Sequence, residues 1–421
     1  MNILYIAHRI PYPPNKGDKI RAFHQIRYLA ENHRVFVCAL VDEPDDFRYR
    51  ESLARYCRQL YLAPLRPIPK KILSLRGLIT GMSMSALYFY EQRLQQQIDR
   101  ILQRRHIDAV FCFSGTSSLY VFRSRFLMSG QDTAKASARP KLIMDFCDVD
   151  SVKWQEYAAR STFPFSLLYR REARMLACLE RRTCAAFDHL VVISEAEKKL
   201  LDPFFPGKNR AVIVPNGVDL NYFRSAGPPP EHPRPVLLFT GAMDYQANVD
   251  GVLWFADKIL PPLSKRFPDL CFIIAGRNPA PPIKQLDKKN NITVTGEVND
   301  MRDWYNRADC CVVPLRIARG IQNKILEAMA MTRPVVTTTA ALRGIPAAPG
   351  RDLLIADEPH DFSLAVTQLL DNGDLRRTTA LNGRKFIEQS CSWSTHLSRL
   401  DQLLKCHNYV NYHGARACKN G

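Results

Sequence analysis

The stretch RIARGIQNKILEAMAM, residues 316–331, sets Arg316, Arg319, Gln322, Asn323, Lys324 and a lone Glu327 at the junction of a short loop and an apolar helix. Backbone N–H groups at a helix start, aided by Lys324 and by Arg316 or Arg319, are what a diphosphate needs. Glu327, about one turn into the helix, can accept two hydrogen bonds from a ribose diol. A second loop, AHRIPYPPNKGDKIRAF, places Gly17 before a helix whose first turns carry Asp18, Lys19 and Arg21. Glycine permits close backbone approach and the cations suit an anion, so this reads as an acceptor or phosphate loop. A third, MDFCDVDS, puts Asp145, Asp148 and Asp150 at a strand end. These carboxylates suit sugar hydroxyls, a metal, or the cap of the next helix.

Such loops need a scaffold, and its rhythm is plain. NILYIAH, RVFVCALV, HIDAVFCFSG, PKLIMDFCDVDS and HLVVISEAEKKLL are short apolar runs separated by helical patterns. That alternation is the signature of a parallel sheet covered by helices. It breaks at VPNGVDLNYFRSAGPPPEHPRP, where six prolines and two glycines fall in 22 residues. It then restarts with VLLFTGAMD, a helix over VDGVLWFADKILPPLSKRF, LCFIIAGRN, ITVTGEV, DCCVVPL and PVVTTTAA. Gly241, Gly276 and Gly296 each end one of these strands, with Asp244 and Asn248 after the first, Arg277 after the second and Val298 after the third. Three successive strand-end glycines argue for a ligand lying across the sheet.

The expected fold is therefore α/β, with two doubly wound Rossmann-like domains facing a cleft lined by strand-end loops. The expected boundaries are 1–212 for the first domain, 213–235 for a hinge, 236–390 for the second domain and 391–421 for a C-terminal helix and tail. A chain of 421 residues is too long for one hydrophobic core, which fits two domains. The twelve cysteines lie mostly in apolar runs without a C-x-x-C pair, so neither a disulfide framework nor zinc is expected. No signal-peptide pattern or long apolar span is seen, and a cytoplasmic protein is expected.

The formal charge of +18 is uneven: residues 1–200 hold 32 Lys+Arg against 20 Asp+Glu. A basic half suits nucleic acid, an anionic membrane or a phosphorylated substrate, and charge alone does not choose. No nucleic-acid-binding module pattern is present. In PLRPIPKKILSLRGLITG, residues 64–81, basic residues interleave with Ile68, Ile72, Leu73, Leu75, Leu78 and Ile79. That pattern suits a helix lying on an anionic membrane surface, or equally a core-facing helix with a basic outer face.

VPNGVDLNYF and KILEAMAM, with FTG, AGR, TGEV and ADCCVVPL between them, resemble glycosyltransferase family 4 of the GT-B fold. DFCDVDSVKW, TGAMDYQANVDG and RGIQNKILEAMA are most similar to sugar transferases associated with exosortase (PEP-CTERM) exopolysaccharide clusters. The resemblance implies a retaining transferase of the hexosyltransferase type, using a nucleotide-diphosphate sugar as donor, with no cofactor or metal required. It implies a saccharide or polyprenyl-linked acceptor, and a location in the cytoplasm or against the inner face of the cell membrane. Its donor site falls on Gly241, Asp244, Asn248, Gly276, Arg277, Val298, Arg316, Gly320, Ile321, Gln322, Asn323 and Glu327, with Lys324, Arg319, Asp148 and Asp150 as catalytic candidates. Three features depart from the family pattern. Arg319 stands where a glutamate is usual, AMDYQAN replaces the arginine and lysine that hold the diphosphate, and aspartates take the place of an N-domain histidine. A sugar-nucleotide epimerase of the same fold is the nearest rival reading, and a basic nucleic-acid-binding protein a weaker one.

Overall fold

The protein is described by a computed structural model that covers residues 1–14, 16–128, 139–204, 211–225, 234–287, 291–318 and 321–405. It divides into two compact units, Met1–Val214 together with the stretch from Leu397, and Pro215–His396. Unit 1 contains β1 (Asn2–Ala7), β2 (Arg34–Val41), β3 (Gln59–Pro64), β4 (Ala109–Phe113), β5 (Lys141–Cys147), β6 (His189–Val192) and β7 (Ala211–Ile213). Unit 2 contains β8 (Val236–Thr240), β9 (Cys271–Ala275), β10 (Ile292–Gly296), β11 (Cys310–Val313), β12 (Val335–Thr337) and β13 (Leu354–Ile355).

The strand orders are β3-β2-β1-β4-β5-β6-β7 and β10-β9-β8-β11-β12-β13. Every neighbouring pair in both sheets is parallel. Both units are thus doubly wound. Helices on the two faces explain why the central strands are apolar throughout rather than alternating: Ile3 to Ala7 are all 0% exposed. Each order reverses beside the first strand of its unit, between β1 and β4 and between β8 and β11. Ligands of open α/β sheets bind at the carboxyl ends of strands beside such a switch point.

Three local differences from the sequence reading have physical causes. The helix expected over 249–267 runs from Gln246 to Trp254, widens to a π-helical turn over Phe255–Ile259 and resumes at Leu260–Arg266. Pro261 and Pro262 lack N–H groups and their rings crowd the preceding turn, so the helix makes room there. The 64–81 stretch forms not one helix but two short ones, Pro67–Ser74 and Gly77–Thr80. The expected hinge does not begin as a free linker: Ile213 ends β7 in unit 1, and from Pro215 the chain is part of unit 2, where Val218 pairs in parallel with Ser392 and its N–H donates to the Cys391 carbonyl at 2.9 Å.

At that crossing a Cβ on Gly217 would come within 2.5 Å of the Trp393 backbone nitrogen. Backbone cannot yield as a side chain does. Gly217→Ala is therefore expected to destabilise the protein by about 1–3 kcal/mol, the usual range for overpacking. Urea unfolding checks this, and an unchanged midpoint would mean that the crossing tolerates a methyl group.

Candidate functional site

In unit 2 the switch-point crevice is built around Lys324. β8 ends at Thr240, and Gly241 follows with φ of 152°. A Cβ on Gly241 would lie 2.7 Å from Asn248 Nδ2 and 3.0 Å from Lys324 Nζ. The missing side chain is what lets the amide and the ammonium close over the strand end. Lys324 Nζ donates to Asn248 Oδ1 at 2.6 Å and sits 4.2 Å from the centroid of the Phe239 ring. Asn248, buried on the Gln246–Trp254 helix, is held in turn by its Nδ2 donating to the Ala242 carbonyl at 2.8 Å. Loss of hydration draws the Lys324 pKa down to about 7, against the opposing charge of Glu327.

Glu327 lies one turn further along the Asn323–Ala330 helix. Burial pushes its carboxyl above the ordinary glutamate value, although Tyr305 and Lys324 both favour the charged form. Tyr305 Oη donates to Glu327 Oε2 at 3.0 Å and shares a 2.9 Å hydrogen bond with Thr240 Oγ1. The Phe223 ring meets Tyr305 edge-on at 6.2 Å. A line of contacts therefore runs from VPNGVDLNYF to the glutamate of KILEAMAM. At the mouth of the same helix Ile321, Gln322 and Asn323 are half-buried, and the buried Asn323 Oδ1 has no hydrogen-bond partner among the described residues. A buried acceptor left so is costly, which marks a place for a donor group from a ligand.

Other donor-site candidates stand differently. Gly276 is required by packing, since a Cβ there would fall 1.7 Å from the Gly241 carbonyl oxygen. Its N–H donates to the Gly296 carbonyl, and Gly241 N–H to the Ala275 carbonyl, both at 3.0 Å. Gly276 thus serves close approach of one strand end to the next, whereas Gly296 has open space around it and a φ of 69° that favours glycine. Arg316, offered with Arg319 as an alternative cation, is exposed and forms an ion pair with Asp250 at 2.5 Å. Asp244 is exposed and accepts from Asn278 Nδ2 at 3.1 Å, while Arg277 and Val298 are half-buried beside the neighbouring strand ends. Arg319 and Gly320 lie outside the described residues.

Unit 1 corrects the phosphate-loop expectation more sharply. Lys19, only 2% exposed, pairs with Asp46 at 2.5 Å. Arg21, fully buried, meets Asp145 Oδ2 through Nε at 2.9 Å and Nη2 at 2.7 Å. Gln25 Nε2 donates to that same Asp145 oxygen at 2.5 Å. Ionic groups taken out of water must be paired, and here Arg21 ties the helix to β5 and Lys19 ties it to the 3-10 turn Pro44–Tyr49 rather than facing a phosphate. Gly17 is exposed with open space around it, so no close approach explains it. Burial acts to raise the Asp18 carboxyl, yet the His8 hydrogen bond and the charges of His8 and Arg9 outweigh it and hold it well below its usual range.

What this strand edge presents instead is acid. Asp148 is exposed and Asp150 half-buried at the start of the Asp150–Arg160 helix. The loop between β5 and that helix is pinned from behind: Val149 N–H donates to Glu197 Oε2 at 2.9 Å and Ser151 N–H to Glu180 Oε1 at 3.0 Å. Removal from water pushes the Asp150 carboxyl up and takes Glu180 to about 7. An edge of hydrogen-bond acceptors suits hydroxyl donors. Asp145, by contrast, is spent on Arg21. Among the described residues no group of three or more His, Cys, Asp or Glu side chains is placed to hold a metal ion.

Sequence reasoning missed Thr240, Tyr305, Glu180 and Glu197, because each acts through a partner distant in the chain. Tyr305→Phe is expected to cost about 1–3 kcal/mol of stability, the penalty for leaving buried groups at Thr240 and Glu327 without their partner. Equal urea midpoints for variant and parent would remove Tyr305 from the support of Glu327.

Residues 234–372 match the family described as glycosyl transferases group 1. Over 401 residues the chain is 21% identical to an uncharacterized 44.6 kDa protein in the cps region of Klebsiella pneumoniae, covering 92% of this chain and 96% of that one. It is 27% identical over 214 residues to an uncharacterized glycosyltransferase of Methanocaldococcus jannaschii, 49% of this chain and 56% of the relative. Among solved structures, Anabaena HepE in complex with UDP and glucose superposes with a TM-score of 0.64 at 14% identity, over 96% of this chain and 99% of that one. The fold is GT-B, and the chain is an enzyme, a glycosyltransferase.

Proposed function

We propose that this glycosyltransferase moves a sugar, with retention at the anomeric carbon, from a nucleoside diphosphate donor held by unit 2 to a hydroxyl of a saccharide or polyprenyl-linked acceptor. The product belongs to an exopolysaccharide or cell-surface glycan, a reading supported by the Klebsiella relative from a cps region. The observation that carries the proposal is the Lys324, Asn248 and Glu327 constellation at the start of one helix beside the β8 switch point. A lysine whose pKa rests near 7 takes up a proton when a polyanion arrives. It then faces the diphosphate as that group departs with the glycosidic bonding pair, in surroundings where a fixed charge is worth more than in water. Glu327, already oriented by Tyr305, offers its carboxylate to the ribose. HepE, a structural neighbour, is recorded with UDP and glucose, which supports a UDP-type donor here.

Calorimetry in buffers of differing ionisation heat tests the donor half. Binding of UDP at pH 8 is expected to draw close to one proton per site from the buffer, and at pH 6 far less, because Lys324 is then already charged. Lys324→Met should abolish the uptake. Glu327→Ala should weaken UDP by about 1.5–3 kcal/mol, as for a hydrogen bond to a charged group. Heat that ignores the buffer at both pH values would take the lysine out of the diphosphate site.

For the acceptor half, Asp148 and Asp150 take hydrogen bonds from the incoming sugar. Asp148→Asn and Asp150→Asn are expected to reduce transfer by about tenfold or more, as for loss of a hydrogen bond to a charged group worth about 1.5–3 kcal/mol. The affinity for UDP, measured in parallel, should not move. A fall in donor affinity, or full transfer by both variants, would overturn this assignment.

A further inference from the structure

We propose that unit 1 docks on an anionic phospholipid surface through the Pro67–Ser74 and Gly77–Thr80 helices together with the tip of the helix Phe165–Ala186. Folding has left a block of apolar side chains in water at this place. Ile68 is 75% exposed and Ile72, four residues on and so on the same face of the first helix, 67%; Leu75, between the helices, is 49% and Ile79, in the second, 91% exposed. From residue 66 to residue 80 only Ser74 and Gly77 are buried. A helix facing the core would show the reverse.

The pair of helices is nonetheless firmly seated. Lys70 Nζ donates to the Tyr90 carbonyl at 2.5 Å and pairs with Glu91 at 2.9 Å. Arg171 donates to the Gly77 carbonyl, and Ser83 Oγ to Glu172 Oε1 at 2.6 Å. Arg171 also brings the second segment alongside. Leu167 and Phe165 precede it on the same helix by about 6 and 9 Å of axial rise. They are 56% and 57% exposed, and Phe163 just before them is 79% exposed. Two segments distant in sequence thus present apolar side chains at one part of the unit.

The rim decides what covers them. Arg66, Lys71, Arg76, Arg170 and Arg174 are all exposed around these segments. Residues 52–90 contain six basic residues and no Asp or Glu. Exposed apolar patches of this kind mark an interaction surface. Apolar side chains ringed by cations fit a bilayer interface, where the former enter the acyl boundary and the latter meet anionic headgroups. Lys70, occupied by Glu91 and Tyr90, is not one of the headgroup cations. The surface makes no assumption about donor chemistry, and it would bring a polyprenyl-linked acceptor to the enzyme.

Co-sedimentation of the full chain with vesicles tests it. Binding is expected to phosphatidylcholine vesicles containing phosphatidylglycerol and not to phosphatidylcholine alone, and to weaken with salt. The substitutions Ile72→Ser with Ile79→Ser, Phe163→Ser with Phe165→Ser, and Lys71→Glu with Arg76→Glu should each lower binding by about tenfold or more. Each variant changes exposed side chains, so UDP affinity should persist and separates this test from that of the donor site. Leu381→Ser, an exposed change in unit 2, should bind like the parent. The proposal is overturned by absence of pelleting, by pelleting indifferent to lipid charge, or by variants that bind as well as the parent. It is likewise overturned if light scattering without vesicles shows a self-association that these substitutions dissolve, which would give the surface to a second copy of the chain.

Discussion

An ammonium group withdrawn from water governs unit 2. Lys324 is held by the amide oxygen of Asn248 and the face of Phe239, which compensate its charge only in part. Much of the nearby architecture follows from accommodating it. Gly241 has no side chain because Nζ and the Asn248 amide occupy that space, and Gly276 has none because the Gly241 carbonyl leans into its place. Glu327 is kept one turn away and anchored by Tyr305 rather than by the lysine. An ammonium buried with so little compensation costs the fold stability, a cost that the proposed diphosphate donor would offset.

Unit 1 applies the opposite arrangement to similar raw material. Its buried basic residues are neutralised inside the fold, Lys19 by Asp46 and Arg21 by Asp145, and the acids that remain face outward on a loop braced by Glu180 and Glu197. Two sheets of one winding plan thus end in edges of contrasting character. One offers a cation and a helix start; the other offers oxygen acceptors.

The parallel sheets were legible because buried strands must be apolar along their whole length and parallel pairing demands intervening helices. RVFVCALV and DCCVVPL carry that information locally. That Lys324 and Glu327 share the start of an apolar helix was legible in KILEAMAM, and the helix forms over Asn323–Ala330. Lys19 and Arg21 misled for a definite reason: a lysine and an arginine in a first helical turn look alike whether they face a ligand or an internal carboxylate. The deciding partners, Asp46 and Asp145, lie 27 and 124 residues away. The same holds for Tyr305, whose role depends on Glu327 two elements later. Strand β3, only partly buried, gave no strong apolar run, and the two-residue β13 gave almost none.

The C-terminal helix, Trp393–Lys405, begins in unit 2 and ends in unit 1, where Asp401 accepts from Tyr28 Oη at 2.8 Å and Leu404 accepts from Lys141. Unit 1 is therefore assembled from two separated stretches of the polypeptide, with the whole of unit 2 between them in sequence. On the ribosome its sheet can form early, but the face around Tyr28 and Lys141 waits uncovered until the last part of the described chain is made. Unit 2, being continuous, has no such delay. The order in which the halves become complete is thus the reverse of the order in which they are begun.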